Sequence, residues 1–77
     1  MRHRFKAPAG GRLDKLIADN TRLSRKRARG LIKRGGVRVD GRVEKREGFR
    51  TPEGALVELR TTAISADVKI EDAWRAD

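Results

Sequence analysis

The spacing of apolar residues changes once along this chain, at Gly35-Gly36. Before that point Leu13, Leu16 and Ile17 fall at i, i+3, i+4, and Ala28, Leu31 and Ile32 repeat the stripe. After it, Val37 and Val39 alternate with Arg38, and Leu56-Val57-Glu58-Leu59 follows. A period near 3.6 followed by a period of 2 predicts helices first and strands afterwards, an α+β fold.

The punctuation between these runs sets the expected elements. Arg4-Phe5-Lys6-Ala7 before Pro8 reads as a short edge strand closed by the Ala9-Gly10-Gly11 turn. A helix is expected over about residues 12–19, with Asp14 in its first turn and Asn20 as its stop. Ser24 is a strong N-cap for a second helix over about 25–34, which Gly35-Gly36 ends. So short a connection makes the pair a helical hairpin.

Val37-Arg38-Val39, Asp40-Gly41 and Arg42-Val43 then read as strand, tight turn and strand. A two-residue loop would put Val43 opposite Val37 and Val39. A three-residue loop with glycine at the bulge would put all three valines on one face. The bulged hairpin is expected, because so small a core has no valine to spare. Thr51-Pro52-Glu53-Gly54 reads as a turn with proline second, leading into a strand at 56–59. From Thr61 the composition becomes small and weakly patterned, like a linker. Val68-Lys69-Ile70 fits a further strand, and Trp74 has no expected neighbour.

At 77 residues there is room for one small core. The aromatics are Phe5, Phe49 and Trp74, so that core must come from aliphatic side chains, with both phenylalanines packed against it. There is no cysteine and one histidine, His3, so no disulfide, metal centre or cofactor is expected. No paired acid and base, metal cluster or phosphate loop is visible, which argues against an enzyme in these residues. No apolar run reaches signal or membrane length, and a cytoplasmic location is expected.

The charge is concentrated. Residues 22–50 hold twelve cations against three acids, an excess equal to the +9 of the whole chain. Such a localised basic surface fits a polyanion, and the usual one is nucleic acid. A membrane surface would call for an apolar face rimmed by lysine and anchored by aromatics. Here the basic helix is arginine-rich and its apolar stripe is needed for the core.

Against a merely solvated face stand Arg25-Lys26-Arg27, whose charge opposes the dipole of the first helical turn unless an anion docks there. Gly30 is equally readable as a tolerated surface glycine or as room for a sugar–phosphate backbone. With little aromatic surface for stacking, recognition should rest on phosphate and shape, which favours structured RNA.

Read in order, Arg12-Leu13-Asp14-Lys15-Leu16-Ile17-Ala18, Leu23-Ser24-Arg25, Ala28, Leu31-Ile32 and Gly36-Val37-Arg38-Val39-Asp40-Gly41 resemble the RNA-binding domain named after ribosomal protein S-four. The likeness spans about residues 11–60. Asp40 replaces the usual asparagine of the turn, and Ala55 stands where an aspartate often follows the glycine. The resemblance implies an L-shaped helix pair on a small, mostly antiparallel sheet. It places RNA contacts at Arg12, Lys15, Arg25, Lys26, Arg29 and Lys33, with Arg22, Arg34 and Arg38 at the margins.

The ends resemble the front of a large-subunit ribosomal RNA pseudouridine synthase. On that likeness residues 1–60 are the RNA-binding domain, and 61–77 a linker or the start of an absent catalytic domain. Arg12-Leu13-Asp14 lacks the flanking residues of the synthases' catalytic motif, so Asp14 is read as a helix residue and no catalytic residue is expected. The role implied by the likeness is to hold structured RNA, ribosomal RNA in the family's terms, for a catalytic domain. The alternative is a freestanding ribosome-associated factor of the same domain family. A monomer without membrane or small-molecule partners is expected in either case.

Overall fold

A computed structural model describes residues 2–60 of the chain. The expectations for 61–77, a linker, a strand at 68–70 and an unpartnered Trp74, lie outside the described residues. In order come β1 (Arg2–Lys6), β2 (Gly11–Arg12), α1 (Leu13–Asn20), α2 (Arg25–Lys33), β3 (Val37–Val39), β4 (Arg42–Val43), β5 (Arg50–Thr51) and β6 (Leu56–Arg60). The main sheet runs β1-β6-β3-β4, and β2 pairs with β5 in a second, two-stranded sheet. Every described pairing is antiparallel. The expected α+β architecture is present, with both helices contributing to one core against one face of the main sheet.

That core consists of Leu13, Ile17, Ala28, Leu31, Ile32, Val37, Val39, Ala55, Val57 and Leu59, with Phe5, Leu23 and Phe49 packed against it. Burying a large aliphatic side chain contributes roughly 1.5–3 kcal/mol, so a core this small depends on each of them. The sheet supplies its share through register. Val37 opposes Leu59 and Val39 opposes Val57, so the inward row of β3 meets the inward row of β6.

The helix ends are closed by local chemistry. At α1 the Asn20 amide donates to Leu16 C=O at 2.8 Å, and the Thr21 hydroxyl to Ile17 C=O at 2.7 Å. At α2 the Ser24 hydroxyl accepts the Arg27 N–H at 3.1 Å, the cap expected from sequence. Beyond Lys33, Gly35 takes φ 81° and donates to Ile32 C=O, while Gly36 donates to Leu31 C=O. These two bonds form a Schellman closure, and the left-handed position explains why glycine stands there. Gly36 C=O then accepts the Arg60 N–H at 2.8 Å, which ties the helix end to the last residue of β6.

The hairpin departs from expectation. Arg38 pairs with Val43 and Val39 with Arg42, leaving a two-residue loop in place of the bulge. Asp40 and Gly41 both have positive φ, 51° and 83°, the signature of a type I′ turn. The turn's twist matches the strands, and this register places Val43 away from the core at 39% exposure. Ala7 and Ala55, both buried, line the interior instead. The later turn is also displaced by one residue. Pro52 C=O accepts the Ala55 N–H, with Gly54 at φ 83° in the third position.

Candidate nucleic-acid interface

The start of α1 is built from three sources. Leu13 N–H donates to Phe49 C=O at 2.9 Å, and Asp14 N–H to Glu47 C=O at 3.4 Å. Lys15 N–H donates to the Asp14 Oδ1 at 2.8 Å. Backbone donors left over at a helix start need such partners, and the 44–49 loop supplies two of them. The same loop brings Gly48 beside the Arg12 guanidinium.

Asp14 is fully buried, and arginines cover it. Arg12 Nε lies 3.2 Å from Oδ1, while Arg25 Nε and Arg29 Nη1 lie 3.5 and 3.8 Å from Oδ2. The three side chains remain 40–47% exposed, so the carboxylate sits just beneath the surface. Burial by itself would raise the Asp14 pKa. The Lys15 N–H and the Arg12 and Arg25 guanidinium groups outweigh that and hold it below the ordinary value. Asp14 is therefore an anion at neutral pH inside a cluster of cations.

The rest of α2 carries the basic surface outward. Lys26 and Arg34 are exposed, as is Arg22 in the connector. Gly30 is exposed with open space where a side chain would stand, so nothing in the fold fills that spot. Lys33 Nζ is 3.5 Å from Glu47 Oε2, and Lys15 is 3.0 Å from Asp19 on α1. The Lys15–Asp19 pair is exposed and worth at most about 1 kcal/mol, whereas Lys33 is exposed but faces a half-buried Glu47 whose Oε2 is itself buried.

The structure thus gathers Arg12, Arg25 and Arg29 around one carboxylate, with Lys26 and Lys33 on the same helix as the last two. Arg38 goes elsewhere. It alternates with the core-facing Val37 and Val39, and on the other face of the sheet donates to Glu58 Oε2 at 3.2 Å.

Sequence reasoning missed two features of this region. Asp14 looked like an ordinary first-turn acid. The available signal was Arg25 and Arg29, four residues apart on the edge of the α2 stripe. The other feature is Arg46, whose guanidinium sits 5.2 Å from the centre of the Phe49 ring and hydrogen-bonds Glu44. That hydrogen bond is the main reason the Glu44 pKa is lowered and the Arg46 pKa raised. Among the described residues, no group of three or more His, Cys, Asp or Glu side chains is placed to hold a metal.

A pair of amphipathic helices on an antiparallel sheet, with cations massed along one helix, makes a small module that offers a basic surface to a polyanion. Residues 11–57 match the family model of the S4 domain, and the chain belongs to that family. Among similar proteins is the ribosomal small subunit pseudouridine synthase A of Vibrio parahaemolyticus, 49% identical over 55 residues. An uncharacterized RNA pseudouridine synthase of Aquifex aeolicus is 40% identical over 53 residues. The matches cover 71% and 69% of this chain but 24% and 22% of those proteins. The chain thus spans about a quarter of the length of these relatives, and its residues 11–57 are an S4 RNA-binding domain. The resemblance to synthases expected from sequence is present, although the Vibrio relative is named for the small ribosomal subunit rather than the large.

Proposed function

We propose that this domain binds structured ribosomal RNA and holds it for the catalytic part of a pseudouridine synthase. The observation that carries this reading is the arginine cluster at the junction of α1 and α2, continued along α2 by Lys26 and Lys33. Guanidinium groups presented in this way suit phosphate oxygens, and the paucity of exposed aromatic surface among the described residues favours duplex shape as the main feature to read. The names of both relatives support a synthase over a freestanding ribosome-associated factor.

Titration of the chain with hairpin fragments of small- and large-subunit rRNA at several salt concentrations tests the reading. At least four outward cations give an expected slope of about −3, at roughly −0.7 to −0.9 per phosphate. Preference for hairpins of one subunit would identify the RNA. Absence of binding at low salt, or binding indifferent to salt, would overturn the proposal.

A further inference from the structure

We propose that Asp14 is a positioning residue of the RNA face: its buried carboxylate fixes where the Arg12, Arg25 and Arg29 guanidinium groups stand. It thereby strengthens RNA binding although its own charge has the wrong sign for it. The proposal rests on the RNA-binding reading above and adds a residue to it.

A carboxylate has room for about four hydrogen-bond donors, and a buried one is tolerated only when its lone pairs are met. Those of Asp14 are met from separate directions. Oδ1 accepts the Lys15 N–H and Arg12 Nε, and Oδ2 accepts Arg12 Nη2 at 3.4 Å. Oδ2 also faces Arg25 and Arg29. Thus cations from the start of α1 and from two successive turns of α2 converge on one group, although the first and last lie 17 positions apart.

Without an anion between them, three guanidinium groups at this separation would repel and spread into solvent. With it, Arg12 spends two of its five donors inward, Arg25 and Arg29 are drawn in by charge at 3.5 and 3.8 Å, and the remaining donors are kept for a ligand. The cluster retains two net positive charges, and its arginines are ordered before any RNA arrives. Pre-ordering long side chains removes a cost that binding would otherwise carry.

Charge arithmetic and positioning predict opposite signs for one substitution. Asp14→Asn keeps the side-chain shape and an oxygen for the Lys15 N–H, while the chain rises from +9 to +10. If Asp14 served only as a counter-charge, RNA binding would tighten. As a positioning residue, its replacement weakens RNA binding at least fivefold at matched salt, in protein shown to be folded at the assay temperature. Equal or tighter binding by the folded variant would overturn the proposal.

A second measurement needs neither the variant nor RNA. Side-chain ¹⁵Nε relaxation in the unsubstituted chain should find Arg12 and Arg25 ordered, in contrast to exposed Arg22 and Arg27. If Arg12 and Arg25 prove as mobile as those two, Asp14 does not position them, whatever the RNA titration shows. Failure of the unsubstituted chain to bind RNA would instead refute the functional reading and leave the relaxation result standing.

Discussion

Asp40 and Leu56 hold each other twice across 16 residues of sequence. The Asp40 N–H donates to Leu56 C=O at 2.8 Å, and the Leu56 N–H returns to Asp40 Oδ1 at 3.0 Å. One residue thus turns the β3–β4 hairpin and fastens it to the first residue of β6. Asp40→Asn keeps both the amide geometry and a side-chain acceptor, and should change stability by less than about 0.5 kcal/mol. Asp40→Ala loses the acceptor and the local hydrogen bonding that lets aspartate tolerate positive φ, and should cost roughly 1–3 kcal/mol. Urea unfolding of the two variants checks the contrast.

Leu31 is buried at the centre of the inward face of α2. Its truncation to alanine removes apolar area and leaves a cavity between helix and sheet, costing roughly 2–5 kcal/mol. In a domain of this size that is a large part of the whole stability. Circular dichroism at 25 °C should show Leu31→Ala largely unfolded or melting far below the parent.

The exposed lysines separate binding from folding more cleanly than the arginines do. Replacing Arg25 and Arg29 together would leave the Asp14 carboxylate buried with Arg12 alone, and would confuse loss of contact with loss of structure. Lys26→Gln with Lys33→Gln replaces two exposed side chains, of which Lys33 faces the half-buried Glu47, and should alter stability by about 1 kcal/mol in total. Its RNA affinity should fall at least several-fold, and its salt slope should shrink by about 1.5. Matched titrations and thermal melts measure both quantities.

Acid should loosen the junction of the two helices. The Asp14 carboxyl has a folded pKa below its ordinary 3.8, so its charged form is favoured by folding. The resulting stability is complete above the ordinary value and disappears as pH falls through the lower folded one. Unfolding free energies measured from pH 6 down to pH 2 should therefore decline at the acid end, and Asp14→Asn should flatten that decline. Glu44 is lowered in the same sense, but its Arg46 partner is highly exposed, so solvent screening keeps its share small.

The features legible in the sequence are those decided within a few residues. The stripe Ala28, Leu31, Ile32, the Ser24 cap and the Gly35 stop each follow from local geometry, and each appears where expected. The hairpin register did not follow, because the expectation weighed the core's appetite for Val43 above the turn preference of Asp40-Gly41. The pairing of β2 with β5 was invisible for another reason: two-residue strands carry no period, and they form here because Gly11 opposes Thr51 across 40 residues.

For the interface, the basic helix was plain from its composition. The burial of Asp14 was not, since an acid in a first helical turn ordinarily faces water. Its partners lie on another helix, and only the packing of α1 against α2 brings them within reach.

The bond from Arg60 N–H to Gly36 C=O couples the end of α2 to the last residue of β6. Residue 60 has no freedom to swing relative to α2, because β6 is also held between β1 and β3. The basic helix and the central strand are thereby joined end to end, so a change that tilts β6 also re-aims the cations of α2.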